Sequence, residues 1–206
     1  QEVLKPDDNE PLQNRRLPQA RVVTSRGLAK QMIIASLLSE MKKCDQILWL
    51  STAYFYPSRK LVKTLIANAT AGKDVRLLLP GPYTDHPSVR YAGHSWYHKL
   101  LRGKVKIFEY QPRFIHQKVA LIDDWVSMGS CNFDRWNLRW NLEANMEVID
   151  PSFASQVYDM LVQDFAESNQ ITFDQWIKRG WREKLRERFW RWIGRFLEKI
   201  ENSRHS

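Results

Sequence analysis

The pattern of apolar residues in this chain is that of an α/β domain, with a mixed, largely covered central sheet flanked by helices. Short apolar runs of strand length alternate with segments whose apolar residues recur at helical spacing, in the order β, α, β, α, β. The 206 residues are enough for one such domain plus terminal additions, and enough to bury a normal core. Hydrophobic residues at 43% and charged residues at 27% are ordinary globular values.

Residues 1–21 are polar and carry Pro6, Pro11 and Pro18, which predicts a linker or extended arm. Leu28, Met32, Ile33, Leu37, Leu38 and Met41 lie at helical spacing. Residues 47–50 follow as a short buried strand. Leu61, Val62, Leu65, Ile66 and Ala69 mark a second helix, stopped by Gly72. Residues 75–79 form a continuous apolar run bounded by Pro80, as a central strand does. A helix over 95–102 and a strand over 105–108 come next. Residues 118–122 and 125–128 read as strands joined tightly by Asp123 and Asp124, and 145–149 as another. The stretch 153–166 is helical, with Phe153, Val157, Met160, Leu161 and Phe165 on its apolar side.

The last segment, 171–206, changes character. From Trp176 to the C-terminus there are ten Lys or Arg against four Glu. Leu185, Phe189, Trp192, Ile193, Phe196, Leu197 and Ile200 fall on one helical face, interrupted by Arg186. Arg188, Arg191, Arg195 and Glu198 fall on the other. Trp176, Trp181, Trp190 and Trp192 among arginines fit a basic amphipathic helix lying at a membrane surface; packing on the domain is the plainer alternative. The domain organisation expected is therefore an arm (1–21), a catalytic domain (22–170) and this segment.

A net charge of +9 and a pI near 9.6 call for an anionic partner: nucleic acid, anionic lipid or a phosphate-bearing substrate. Cys44 and Cys131 match no metal-ligand spacing and read as reduced thiols. No apolar run approaches the roughly 20 residues that span a bilayer. No signal peptide is present, and the start at Gln1 suggests a piece of something longer or a processed product.

The chemistry is concentrated in residues 116–143. His116 and Lys118 stand two apart, which puts them on one face of an extended segment. Imidazole beside ammonium makes a phosphate site: the ammonium neutralises a non-bridging oxygen, and the imidazole attacks phosphorus or donates a proton. Ser130 and Asn132 share the same spacing and can face the same phosphate. Glu143 is placed to hold the second imidazole nitrogen, with nearby Glu147 as a strand-end surface acid.

His-x-Lys-x4-Asp (His116, Lys118, Asp123) followed by Gly-Ser-x-Asn (residues 129–132) resembles the signature of the phospholipase D superfamily. The resemblance implies that His116 forms a phosphohistidine and that Lys118 and Asn132 bind phosphate with help from Ser130. Glu143 would orient the histidine, and Asp123 would act structurally within the catalytic motif, accepting hydrogen bonds at the hairpin. Five residues separate Asp123 from Gly129 where the family usually has six, so a shorter turn is expected. Tyr54-Phe55-Tyr56-Pro57, residues 74–81, 108–112 and 114–118, and Asn141-Leu142-Glu143-Ala144-Asn145 are similar to the second half of bacterial cardiolipin synthases, over roughly residues 22–170.

Such a relationship implies phosphatidyl transfer between two phosphatidyl alcohols, such as two phosphatidylglycerols, with neither metal nor organic cofactor because Lys118 supplies the positive charge. It also implies a peripheral enzyme on the cytoplasmic side of a bacterial inner membrane, with anionic phospholipid as substrate and surface, and no nucleic acid. The mechanism needs two histidines and this chain has one His-x-Lys, so a second half, either an N-terminal domain or a homodimer partner, is expected. The rival readings are a single-motif nuclease acting as a homodimer and an inactive membrane-docking fragment. His86, His94, His98 and His205 belong to no motif and read as surface or loop residues. The stretch 83–98 is placed to line the substrate entrance, with Tyr54, Asp85 and Arg90 as candidates.

Overall fold

Strands that run parallel need crossover connections, and helices supply them here. The computed structural model describes residues 19–26, 32–133 and 142–180. In chain order the elements are β1 (Gln19–Arg26), α1 (Met32–Lys43), β2 (Ile47–Thr52), α2 (Arg59–Thr70), β3 (Asp74–Pro80), α3 (Pro87–Arg102), β4 (Lys106–Tyr110), β5 (Lys118–Ile122), β6 (Trp125–Gly129), β7 (Leu142–Ile149), α4 (Pro151–Ala166), β8 (Ser168–Ile171) and α5 (Phe173–Lys178). The eight strands form one mixed sheet in the order β1-β7-β6-β5-β2-β3-β4-β8. Strands β2, β3 and β4 are parallel, and every other pairing is antiparallel.

Alternation along the central strands divides the core in two. Leu48, Leu50, Leu77, Leu79, Ile107, Ala120 and Ile122 pack with α1, α2 and α3 on one face. Trp49, Leu78, Phe108, Val119, Leu121 and Val126 pack with Val157, Leu161 and Phe165 of α4 on the other. Each large apolar side chain so buried is worth roughly 1.5–3 kcal/mol. Helix starts are fixed by side chains: the Ser58 hydroxyl accepts from the Leu61 amide, and the Asp150 carboxylate from the Phe153 amide at 2.7 Å. Caps of this kind contribute about 1 kcal/mol each.

Several elements depart from the pattern read off the sequence. β1 begins at Gln19, inside the range assigned to the arm, and pairs along its whole length with β7. It lies at the sheet edge and most of its residues are exposed, so no apolar run announces it. α3 begins at Pro87 and not at 95, because its first turns direct the half-buried Arg90 and the buried His94 to Glu109 and carry no apolar stripe. β8 is the polar Ser-Asn-Gln-Ile, recognisable only by its pairing with β4. Packed structure therefore continues to Lys178, past the boundary placed at residue 170.

Trp176 also moves. It is 5% exposed and packs on His94 and Tyr97, with ring centroids at 5.4 and 4.7 Å. It belongs to the core and not to a membrane-facing stripe. The amphipathic helix expected over 185–200 lies outside the described residues. Both cysteines are buried and outside any disulfide among the described residues, and burial foremost pushes the Cys44 thiol up to about 11.

Candidate active site

The motif residues gather at one end of the sheet, outside the carboxyl ends of the parallel strands, the usual ligand position in α/β folds. Thr52 closes β2 and pairs with Lys118, which opens β5. His116 lies just before β5 and is exposed, whereas Lys118 is only 6% exposed. The Lys118 ammonium donates to the carbonyl oxygen of His116 at 2.8 Å and lies 3.0 and 3.1 Å from the ring's Nε2 and Nδ1. The two ring nitrogens point in diverging directions, so at most one of those approaches is a directed hydrogen bond. What matters for phosphate binding is that the charge and the imidazole share one face.

Asn132, 4% exposed, is tied to this pair through Thr52. The Thr52 hydroxyl lies 3.3 Å from Asn132 Oδ1 and 3.0 Å from the Tyr54 carbonyl oxygen, and accepts from the Phe133 amide at 3.4 Å. It has one proton, so it serves Tyr54 or Asn132 but not both fully. Whichever of them takes the proton, the Asn132 amide nitrogen is the group of that side chain that can donate to a phosphate oxygen. Sequence reasoning missed Thr52. The signal was present: the apolar run 47–50 ends in two small polar residues, Ser51 and Thr52, at the carboxyl end of the strand that pairs with β5.

Ser130 and Glu143 meet directly, the serine hydroxyl donating to Glu143 Oε2. Backbone geometry brings them together, since the Ser130 amide donates to the Ala144 carbonyl at 3.0 Å and the Ala144 amide to Ser130 Oγ at the same distance. Among the described residues no hydrogen bond joins Glu143 to His116. The hydrogen-bond partner that the structure gives Glu143 is Ser130, which faces the adjoining Ala144 across the strands. Gly129 is required at this crossing. A Cβ there would lie 2.2 Å from the Ala144 carbonyl oxygen and 2.6 Å from Asn145 Oδ1. Asn145 uses that oxygen to accept from the Cys131 amide and donates to Ser127, which fixes the loop that carries Asn132.

Asp123 stands elsewhere. It is at the far end of β5 from Lys118, about 3.3 Å per residue away along the strand. Its carboxylate accepts from the backbone amides of Asp45, Gln46 and Ile47 at 2.7, 3.0 and 2.9 Å. Asp123 is therefore separated from the reacting groups and locks the entry to β2, not the hairpin itself. Its positive φ of 49° opens the two-residue turn between Ile122 and Trp125, which are paired. The five-residue spacing from Asp123 to Gly129 includes this two-residue turn, the shorter connection expected there.

The family model described as cardiolipin synthase, PLD-like domain, matches residues 37–165. This chain belongs to that family. Minor cardiolipin synthase ClsB of Bacillus subtilis (strain 168) is 35% identical over 161 residues, covering 78% of this chain and 39% of that protein. Cardiolipin synthase A of Pseudomonas putida is 39% identical over 136 residues, covering 66% of this chain and 28% of that protein. The chain thus spans two-fifths or less of the length of these relatives. The fold is shared with phosphatidylserine synthase of Haemophilus influenzae Rd KW20, with a TM-score of 0.71, 13% identity, and coverage of 90% of this chain and 47% of that one. It is shared also with Nuc, a phospholipase D family member from Salmonella typhimurium, with a TM-score of 0.62, 17% identity, and coverage of 75% and 99%.

One acid, one histidine and one arginine in this PLD-like domain differ from their sequence reading. Glu147 is no surface acid: it is 2% exposed and takes the Arg21 guanidinium at 2.8 and 2.9 Å and the Ser36 hydroxyl at 2.9 Å. His94 is no surface histidine. Its Nε2 lies 3.0 Å from the buried carboxylate of Glu109, which also accepts from Arg90 at 2.7 Å and from Tyr97 at 3.2 Å. Arg90 is committed to that ion pair. Tyr54 has its ring edge-on to His116 at 6.3 Å, and its hydroxyl donates to Asp85. His86 and His98 are exposed, as expected, and His205 lies outside the described residues.

Proposed function

We propose that this chain supplies one of two catalytic motifs of a phosphatidyltransferase that forms cardiolipin from phosphatidylglycerol or another phosphatidyl alcohol. The observation that carries the reading is the juxtaposition of an exposed imidazole, a buried ammonium and a pre-set amide donor at the carboxyl edge of the sheet, in a chain of the cardiolipin synthase family. In the first step an imidazole nitrogen attacks phosphorus. An N–P bond forms, the P–O bond to the donor's headgroup breaks, and a second histidine gives the departing oxygen its proton. In the second step that histidine takes the proton of the acceptor hydroxyl, its oxygen attacks phosphorus, and the N–P bond breaks. Lys118 and Asn132 hold the non-bridging oxygens, where fixed donors gain most as charge develops. Ser130 and Glu143 brace the same edge. Positive charge comes from Lys118, so the scheme uses no cofactor.

One imidazole cannot be nucleophile and general acid in the same step. The second His-x-Lys therefore comes from another half, in the same polypeptide or in a second copy. A preparation of this chain held monomeric is expected to make no cardiolipin from phosphatidylglycerol vesicles, and supplying the other motif is expected to restore product and glycerol release. Full activity from a chain shown to be monomeric under assay conditions would overturn the two-motif scheme. The alternative, a homodimeric single-motif nuclease, draws on the excess of 32 Lys and Arg over 23 acids. It predicts phosphodiester cleavage in DNA and no phosphatidyl transfer.

The proposed partner surface is an anionic membrane, reached peripherally from the cytoplasmic side. Among the described residues no helix is long and apolar enough to cross a bilayer. Residues 181–206 are the proposed contact, each Lys or Arg near the surface adding about 1 kcal/mol. Vesicle flotation is expected to weaken with salt without vanishing, since the apolar stripe is not screened. Deleting 181–206 is expected to release the protein. Equal flotation of truncated and intact protein would remove this segment from the proposal.

A further inference from the structure

The mouth of the site holds groups that phosphate chemistry does not use. The His116 ring is flanked by Phe114, with centroids 5.5 Å apart, and by Tyr54. On the other side of Tyr54, its hydroxyl donates to Asp85 Oδ2 at 2.6 Å. His86 completes the group, its ring 5.5 Å from that of Tyr54 and its Nε2 3.9 Å from Asp85 Oδ2. The loop bearing Asp85 leads into α3, and α3 is held from beneath by the Glu109 ion pairs of Arg90 and His94. Gly93 of α3 lies so close to β2's exit that a Cβ would meet the Phe55 carbonyl oxygen at 2.7 Å. The position of Asp85 relative to Tyr54 and His116 is therefore set by the fold.

A carboxylate one aromatic ring away from a phosphate-binding lysine and histidine repels a second anion. What it binds well is a hydrogen-bond donor, because an ionised carboxylate only accepts. The mouth thus presents a carboxylate held in place by the Tyr54 hydroxyl, next to the imidazole at which an acceptor oxygen must arrive. Resting on the phosphatidyl-transfer reading, we propose that Asp85, oriented by Tyr54, binds the hydroxyl groups of the acceptor's polyol headgroup, so that a glycerol headgroup is chosen over simple alcohols. An acceptor held in one orientation favours a molecule whose hydroxyl reaches it over one lacking that hydroxyl.

The test is acceptor competition in the complete two-motif enzyme, comparing transfer to phosphatidylglycerol, to methanol and to phosphatidylethanolamine from one labelled donor. Asp85→Ala is expected to lower the phosphatidylglycerol-to-methanol product ratio about tenfold, the scale of one lost charge-assisted hydrogen bond. Tyr54→Phe is expected to lower it by less, in the same direction, since it removes the bond that fixes Asp85. A ratio within twofold of wild type in both variants overturns the inference. So does a loss confined to the ethanolamine acceptor, which would assign Asp85 to an ammonium. Wild-type enzyme that releases no headgroup from any of these donors overturns the underlying transfer reading too. Active wild-type enzyme with unchanged ratios in the variants overturns the Asp85 assignment alone.

Discussion

His116→Ala in the complete enzyme is expected to cut phosphatidyl transfer by at least about a thousandfold without unfolding the protein. Loss of a positioned general acid alone costs about 10²–10⁴, and loss of a nucleophile costs more. The fold does not depend on this side chain: it is exposed, precedes β5, and is surrounded by contacts with Phe114, Tyr54 and Lys118 that are not part of either core. Thermal melting should therefore stay near that of wild type while product formation disappears. Glu143→Gln is expected to be milder, about ten- to a hundredfold. The ring remains, and an amide oxygen still accepts from Ser130. A folded His116→Ala enzyme with wild-type turnover would refute the assignment of the motif. A Glu143→Gln loss as deep as that of His116→Ala would make the glutamate more than a brace.

The largest stability effect should come from Glu109, which no motif contains. Its side chain is almost wholly inside, and it receives Arg90, His94 and Tyr97 together. Burial works against its charge. The His94 hydrogen bond and charge, then those of Arg90, outweigh it and hold the carboxyl below the usual glutamate range. Glu109→Gln leaves the Arg90 guanidinium without its anion, and its Nε already has no hydrogen-bond partner among the described residues. Removing one member of a buried pair costs about 3–5 kcal/mol, to be measured by urea unfolding at neutral pH.

The pH dependence follows from the same carboxylate. Its folded-state pKa is depressed, so its contribution is fully present above the unfolded value near 4.3. That contribution is lost as pH falls through the lower folded value, because the unfolded chain binds the proton first. Wild-type stability should fall with acidification across this window, and the gap to Glu109→Gln should narrow. A gap that stays constant from neutral pH down through the carboxylate range would show that packing, not charge, makes the difference.

The site and the core were legible in the sequence to different depths. His116 and Lys118 could be paired from spacing alone, because an extended segment returns to the same face every second residue. The central strands and α1, α2 and α4 were legible because their apolar residues keep a period that burial demands. α3 was not legible over its first half, since Arg90 and His94 occupy positions where an apolar residue would have revealed the buried face. Their partner, Glu109, lies on β4, and only the fold brings the three polar residues together as an interior ion-pair cluster.

By itself the sequence determined the family and pointed to the candidate site, His116 and Lys118 with Ser130 and Asn132. These are local signals, carried by residue type and by spacings of two to sixteen positions. The tertiary structure decided what each acid does. Asp123 holds the entry to β2, Glu143 takes Ser130, Glu147 takes Arg21, and Glu109 takes Arg90 and His94. All four are carboxylates whose roles depend on a donor brought from 13 to 126 positions away. A carboxylate carries no mark of its partner in the sequence, so its role exists only once the sheet has closed around it.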